Sequence, residues 1–284
     1  MNNYLRIVVF CQNDIHVGSV IGGFIADYHG DILEENHYID REDLTVYLRW
    51  VISIDDASIS YSEFLANFKS FSKYHNFQWL VVDASQKKRI AILTGKTRHC
   101  LLDIITRHKE GEINADIACI ISNHDDLRLI VGSHALPFHH VPISPGNVDS
   151  SNRTIKDLLV YYGVDTVVLA RYMQIIPEEL CQLYSNNIIN IHHSLLPAFV
   201  GKGPYQKAFD RGVKLIGATC HYVTSELDSG PIIHQDVSRI NHTFKPHDLV
   251  KVGKDIEKKV LLRGLIYHLE DRIVTRKNKT VILK

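Results

Sequence analysis

The chain has 284 residues, 45% hydrophobic and 23% charged, which is enough apolar material for two buried cores. Its 32 Lys and Arg balance 32 Asp and Glu, so it lacks the basic excess that a nucleic-acid or anionic-membrane partner calls for. Five scattered cysteines (Cys11, Cys100, Cys119, Cys181, Cys220), an apolar content without a span of about 20 residues, and an N-terminus without a leader pattern argue against a disulfide framework, a zinc site, a membrane anchor and secretion, and for a cytoplasmic protein.

Residues 5–11 (LRIVVFC) form a β-branched run. Val17, Val20, Ile21, Phe24, Ile25 and Tyr28 then recur at helical spacing, with Gly30 as a stop. Strands are expected over 31–39 and 44–53, the second alternating Val46, Leu48 and Trp50 with Tyr47, Arg49 and Val51. Tyr61, Phe64, Leu65, Phe68 and Phe71 restore the helical period, and QWLVVD over 78–83 closes the unit. The order βαββαβ predicts a ferredoxin-like first domain over residues 1–86, both helices on one face of an antiparallel sheet. The other face and an edge strand are then left for pairing with a second copy.

From residue 87 to 284 a second domain is expected. Short apolar runs over 89–93, 117–122, 166–170 and 188–192 alternate with helical segments over 100–108, 155–162 and 178–184. That alternation predicts a mostly parallel, Rossmann-like α/β sheet with ligands at the carboxyl ends of its strands. A long helix over 255–270 and a hairpin over 272–283, turning at Lys277 and Asn278, complete it.

In the strand ending INIHH, Asn190 and His192 share a face because residues i and i+2 point the same way. Two polar side chains at the carboxyl end of a buried strand invite a functional reading; the plain alternative is hydrogen bonding to nearby loop backbone. A second strand, GATCHYV over 217–223, leads to a Gly-Pro-bounded loop that can bring Asp228 back over the pair. Asn, His and Asp suit attack on a carbonyl, with an Asn amide and a protonated His donating to the oxyanion and a carboxylate orienting the imidazole. A Ser-His-Asp hydrolase would use similar residues, but no G-x-S-x-G elbow is present. Seventeen histidines invite a metal reading, yet no HxxxH pair falls in a helical segment beside a carboxylate, so no metal is expected.

The segment NIHHSLLPAFVGKGPYQKAFDRGVKLIGATCHYVTSELDSGPIIHQD resembles the folate-dependent formyltransferase superfamily, most of all its formyltetrahydrofolate deformylases. The likeness runs through RIAILTGKTRHCLLDII, PFHHVPIS and YYGVDTVVLARYMQI to KNKTVIL, and so covers residues 87–284. Residues 1–86 resemble the ACT module that precedes this domain in deformylases. Three features favour the deformylases. Thr94-Gly95-Lys96-Thr97-Arg98-His99-Cys100 stands where the glycinamide ribonucleotide formyltransferases carry a Gly-rich phosphate-holding turn. The C-terminal extension of the tRNA formyltransferases is missing, and the ACT-like unit is present.

The resemblance implies hydrolysis of 10-formyltetrahydrofolate to formate and tetrahydrofolate, feeding one-carbon metabolism and purine synthesis. It implies Asn190, His192 and Asp228 as catalytic residues, and Met173, Gln174, Ile175 and Ile176 as a loop whose backbone faces the pterin ring. His193 is expected to point away and be structural. No cofactor beyond the folate substrate is implied, and a homo-oligomer, dimer or tetramer, is expected. A formyltransferase acting on an amine, or a silent folate- or amino-acid-binding regulator, are the competing readings. ACT modules of this group carry D-x-x-G before the first helix, whereas Asn13-Asp14-Ile15-His16-Val17-Gly18 is one residue out of step. An amino-acid effector or a purely dimerising role therefore both stay open for the first domain.

Overall fold

Alternating apolar residues dictate the first sheet. The computed structural model describes residues 2–12, 14–55, 59–198 and 203–284. Asn13, Phe199, Gly201 and Lys202, which figured in the sequence reading, lie outside them. One unit comprises residues 1–87, 270–274 and 281–284; the other comprises 88–269 and 275–280.

In the first unit the elements run β1 (Asn2–Gln12), α1 (Val17–Asp27), β2 (Asp31–Asp40), β3 (Thr45–Asp55), α2 (Tyr61–His75) and β4 (Gln78–Asp83). The sheet order is β2-β3-β1-β4, with every neighbouring pair antiparallel. Leu5, Ile7 and Val9 of β1 lie opposite Ile52, Trp50 and Leu48 of β3, so one face is continuously apolar. Val17, Ile21 and Ile25 of α1 and Phe64 and Phe68 of α2 bury against that face. Ser60 caps α2 by accepting from the Glu63 N–H, and Asn76 ends it in the left-handed region at φ 53°. The opposite face was expected to be free, and here the structure differs. Arg6 and Arg49 project from it, both buried, and residues 270–272 of the same unit cover them. Arg6 Nη1 lies 2.9 Å from an Asp271 carboxylate oxygen, and Arg49 Nε donates to the Glu270 carbonyl at 2.9 Å. Two buried guanidiniums require such partners, because an unpaired buried charge is strongly destabilising.

The second unit runs β5 (Lys88–Thr94), α3 (His99–Lys109), β6 (Ala115–Ser122), α4 (Arg128–Gly132), β7 (Phe138–His140), α5 (Val148–Tyr161), β8 (Thr166–Ala170), α6 (Glu178–Leu183), β9 (Ile188–His192), α7 (Pro204–Arg211), β10 (Leu215–Tyr222), β11 (Ile232–Arg239) and α8 (Pro246–Leu269). The sheet order is β11-β10-β9-β8-β5-β6-β7. Strands β7, β6, β5, β8 and β9 are parallel, while β10 and β11 extend the sheet antiparallel. The fold is thus α/β with a mostly parallel sheet. The TVVLA strand is buried at every position, as a strand covered on both faces must be. The hairpin β12 (Ile273–Arg276) and β13 (Lys279–Ile282) turns at Lys277, φ 51°.

Several elements exceed the apolar pattern. Helix α5 begins at Val148, seven residues before the expected start, because its first turns are polar and half exposed. Helix α8 begins at Pro246, a residue suited to the first helical turn. Helix α7, though amphipathic, is only eight residues long, too short for its period to stand out, and strand β11 is mostly polar after its first two residues.

Candidate active site

Strand β9 delivers Asn190 and His192 to the carboxyl end of the parallel strands. Leu169 of β8 pairs with Asn190 in parallel register, and His221 of β10 pairs with it in antiparallel register. Cross-strand partners share a face, so His221 joins Asn190 although it is 31 residues away in sequence. Asn190 Nδ2 lies 3.0 Å from His221 Nε2, and His221 Nδ1 lies 2.9 Å from the Tyr222 carbonyl. That carbonyl can only accept, so Nδ1 carries the proton. Burial lowers the pKa of His221 and favours the neutral ring. Its Nε2 lone pair therefore accepts from Asn190, which fixes the amide with one N–H on His221 and leaves the second for the cavity.

Asp228 arrives on the loop between β10 and β11. Its own φ is 53°, a conformation that Asp and Asn tolerate better than most residues. One carboxylate oxygen lies 3.3 Å from His192 Nδ1, and the other 3.7 Å from His221 Nε2. The hydrogen bond from His192 holds the Asp228 carboxyl below the usual carboxylate range, against the opposing effect of burial. His192 Nε2 is buried and has no hydrogen-bond partner. The structure therefore brings the three expected polar residues together and adds His221, a buried polar residue in GATCHYV that the sequence reading passed over.

Gly230 holds this loop against β10. A Cβ there would stand 1.9 Å from the Tyr222 carbonyl oxygen, which is backbone and cannot yield. The Tyr222 N–H donates to the Pro231 carbonyl at 2.9 Å, so the loop is anchored immediately beyond Asp228. Gly230→Ala should therefore displace Asp228. A shift of about 1 Å at such a group lowers turnover by about 100-fold, and steady-state kinetics on folded variant protein checks it.

These residues line a cavity of about 230 Å³, together with Met173, Gln174, Ile175 and Ile176 from the loop after β8. Met173 (64% exposed), Ile175 (73%) and Leu227 (65%) rim its open side. His192 and His193, both buried, line the cavity together with the half-buried Arg171. His193 was expected to point away. Strand β9 ends at His192, so alternation lapses, and His193 also lines the cavity. Burial, assisted by the Arg171 guanidinium, pushes its pKa down to about 4. Ser194 spends its hydroxyl on the Ala198 carbonyl at 2.9 Å and does not line the cavity, which disfavours a serine nucleophile. The sequence reading expected no metal cluster; among the described residues His99, Cys100 and Glu257 bring ligand-type atoms within 4.8 Å of one another. Burial raises the Cys100 pKa well above its ordinary value, and His99 and Glu257 are already bonded to each other at 2.8 Å. His139 packs on Tyr162, with Nε2 2.9 Å from its hydroxyl, a structural role away from the cavity.

Comparison with known proteins gives one consistent answer. The model of the formyl transferase family matches residues 88–265. The formyltetrahydrofolate deformylase of Bacillus subtilis is 40% identical over 280 residues, 98% of this chain and 93% of that protein. The crystal structure of a formyltetrahydrofolate deformylase from Pseudomonas syringae pv. tomato superposes with a TM-score of 0.95 at 42% identity, covering 100% of this chain and 95% of that one. A phosphoribosylglycinamide formyltransferase from Anaplasma phagocytophilum superposes on 69% of this chain and 95% of its own, with a TM-score of 0.64 at 30% identity.

Proposed function

This chain belongs to the formyl transferase family, and from that premise we propose that it hydrolyses 10-formyltetrahydrofolate to formate and tetrahydrofolate. The observation that carries the reading is the set Asn190, His192 and Asp228 lining one cavity, in a chain similar to deformylases along nearly its whole length. The pterin ring lies along the loop of Met173, Gln174, Ile175 and Ile176. The formyl oxygen accepts from the free N–H of Asn190, which stabilises the oxyanion as it forms. Water attacks the formyl carbon while His192 Nε2 takes its proton, and Asp228 at Nδ1 balances the resulting imidazolium. The C–N10 bond then breaks and N10 receives the proton, so the products are formic acid, which ionises, and tetrahydrofolate. No metal and no cofactor take part in this scheme. The released formate would supply one-carbon metabolism and purine synthesis.

Incubating the protein with 10-formyltetrahydrofolate and no amine decides the matter. Formate and tetrahydrofolate should appear in equal amounts at enzymatic rates. Release only after an amine is added would assign a transferase, and no turnover with tight folate binding would assign a silent regulator.

The first unit fits an ACT-like, ferredoxin-like reading through its βαββαβ order and its sheet order β2-β3-β1-β4. His16, whose backbone N–H donates to Asp14 just before α1, lies near where ACT modules of this group have glycine. We read the unit as one that joins copies of the chain, as dimer or tetramer, more readily than one that binds an amino acid. The outer edge strand β2, with Leu33 56% and Tyr38 45% exposed, supports this, and sedimentation analysis tests it. No described helix is long and apolar enough to cross a membrane, and the five buried free thiols suit a cytoplasmic location.

A further inference from the structure

A formyl group beside Asn190 can be taken by water or by an amine, and the space next to it decides which. Leu169 pairs with Asn190, and Arg171, two residues on, lines the same cavity as Asn190 and His192. Behind it Glu257 of α8 is 1% exposed. Its carboxylate accepts from the Tyr205 hydroxyl at 2.6 Å and lies 2.8 Å from His99 Nε2 and 3.6 Å from Arg171 Nε. Burial alone would raise its pKa, but His99, Arg171 and Tyr205 outweigh burial and keep it ionised. Of this cluster Arg171 lines the cavity and Glu257 stands behind it, and a carboxylate so placed is what an incoming amine or hydroxyl would seek as acceptor. Here this chain's own side chains occupy it.

Local backbone makes room for those occupants. Gly253 lies one helical turn before Glu257, and a Cβ on it would stand 2.1 Å from the Tyr205 hydroxyl, so a glycine lets Tyr205 reach the carboxylate. Arg171 itself adopts φ 63°, and its carbonyl oxygen lies 2.8 Å from where a Cβ on Gly95 would be. Arg171 Nε and Nη1 and His99 Nδ1 are buried without hydrogen-bond partners. Such groups suit a water molecule, which needs only a small polar space and two to four partners. A substituted amine would have to displace the side chains themselves.

We propose that Arg171, backed by Glu257 with Tyr205 and His99 gathered on it, is the specificity-determining residue whose bulk keeps amines from the formyl carbon and leaves water as acceptor. The inference rests on the hydrolytic reading above. Glu257 acts through its neighbours, so it is a positioning residue. In the excluded reaction the amine nitrogen would bond to the formyl carbon, the C–N10 bond would break, and the amine proton would pass to N10.

The test is product partition. Wild-type protein, Arg171→Gly and Arg171→Met are each given 10-formyltetrahydrofolate with increasing glycinamide, and N-formylglycinamide is measured against formate. Glycine accepts φ 63° without strain and empties the space, whereas methionine fills it without charge. The ratio of formylated amine to formate should rise at least tenfold in Arg171→Gly and stay near wild type in Arg171→Met. An Arg171→Gly protein that makes formate at the wild-type ratio overturns the proposal. So does an equal rise in the methionine variant, or a folded glycine variant that makes neither product. Should Arg171→Gly fail to fold, Arg171→Asn, a shorter side chain that also tolerates the left-handed region, replaces it, and its ratio decides. Wild-type protein that releases no formate would defeat the hydrolytic reading itself, a separate and visible outcome.

Discussion

Replacing Asp228 by Asn should lower turnover of 10-formyltetrahydrofolate about 1,000-fold or more while folate affinity changes little. The substitution is nearly isosteric, and Asn tolerates φ 53° as Asp does, so the loop keeps its course. What disappears is the negative charge 3.3 Å from His192 Nδ1, and with it the balance for an imidazolium formed in the transition state. Single-turnover kinetics with folate binding measured in parallel checks the split; unchanged turnover would remove Asp228 from the mechanism. The same variant has a signature in stability. The Asp228 pKa is lowered by folding, so the carboxylate contributes stability above the ordinary carboxylate range and loses it as pH falls through the folded value. The Tm difference between wild type and variant should therefore be present at neutral pH and fade below about pH 4.

Asn190→Ala should reduce kcat by about 100- to 1,000-fold, the usual cost of one oxyanion donor. It differs from the first case in also leaving the His221 Nε2 lone pair buried without a donor, a cost of about 1–3 kcal/mol. Both kcat and Tm should fall, whereas Asp228→Asn at neutral pH weighs far more on kcat. Asn190→Ala protein with normal kcat would place the oxyanion elsewhere.

The sequence displayed some of this site and hid the rest for definable reasons. Asn190 and His192 stood out because polar residues two apart in a buried strand break its apolar rule. Asp228 was visible as a carboxylate in a loop closed by Gly230 and Pro231. His221 was hidden because its place beside Asn190 depends on which strands become neighbours and in which direction, and local periodicity does not encode that. Glu257 was hidden more deeply. A charged residue within the amphipathic repeat of α8 reads as part of a solvated face, and only Gly253 one turn earlier hinted that something packs there. In the first unit, Arg6 and Arg49 alternate correctly with the core residues, yet their burial depends on a segment more than 200 residues away.

That last dependence bears on the order in which the protein is made. The two guanidiniums of the first sheet meet Glu270 and Asp271 only after all of residues 88–269 have been synthesised. On the ribosome, where domains generally fold as they emerge, the first sheet would wait with one face unfinished. An isolated fragment of residues 1–87 would carry that defect permanently, so the N-terminal unit is better regarded as the last part of the molecule to mature than as the first.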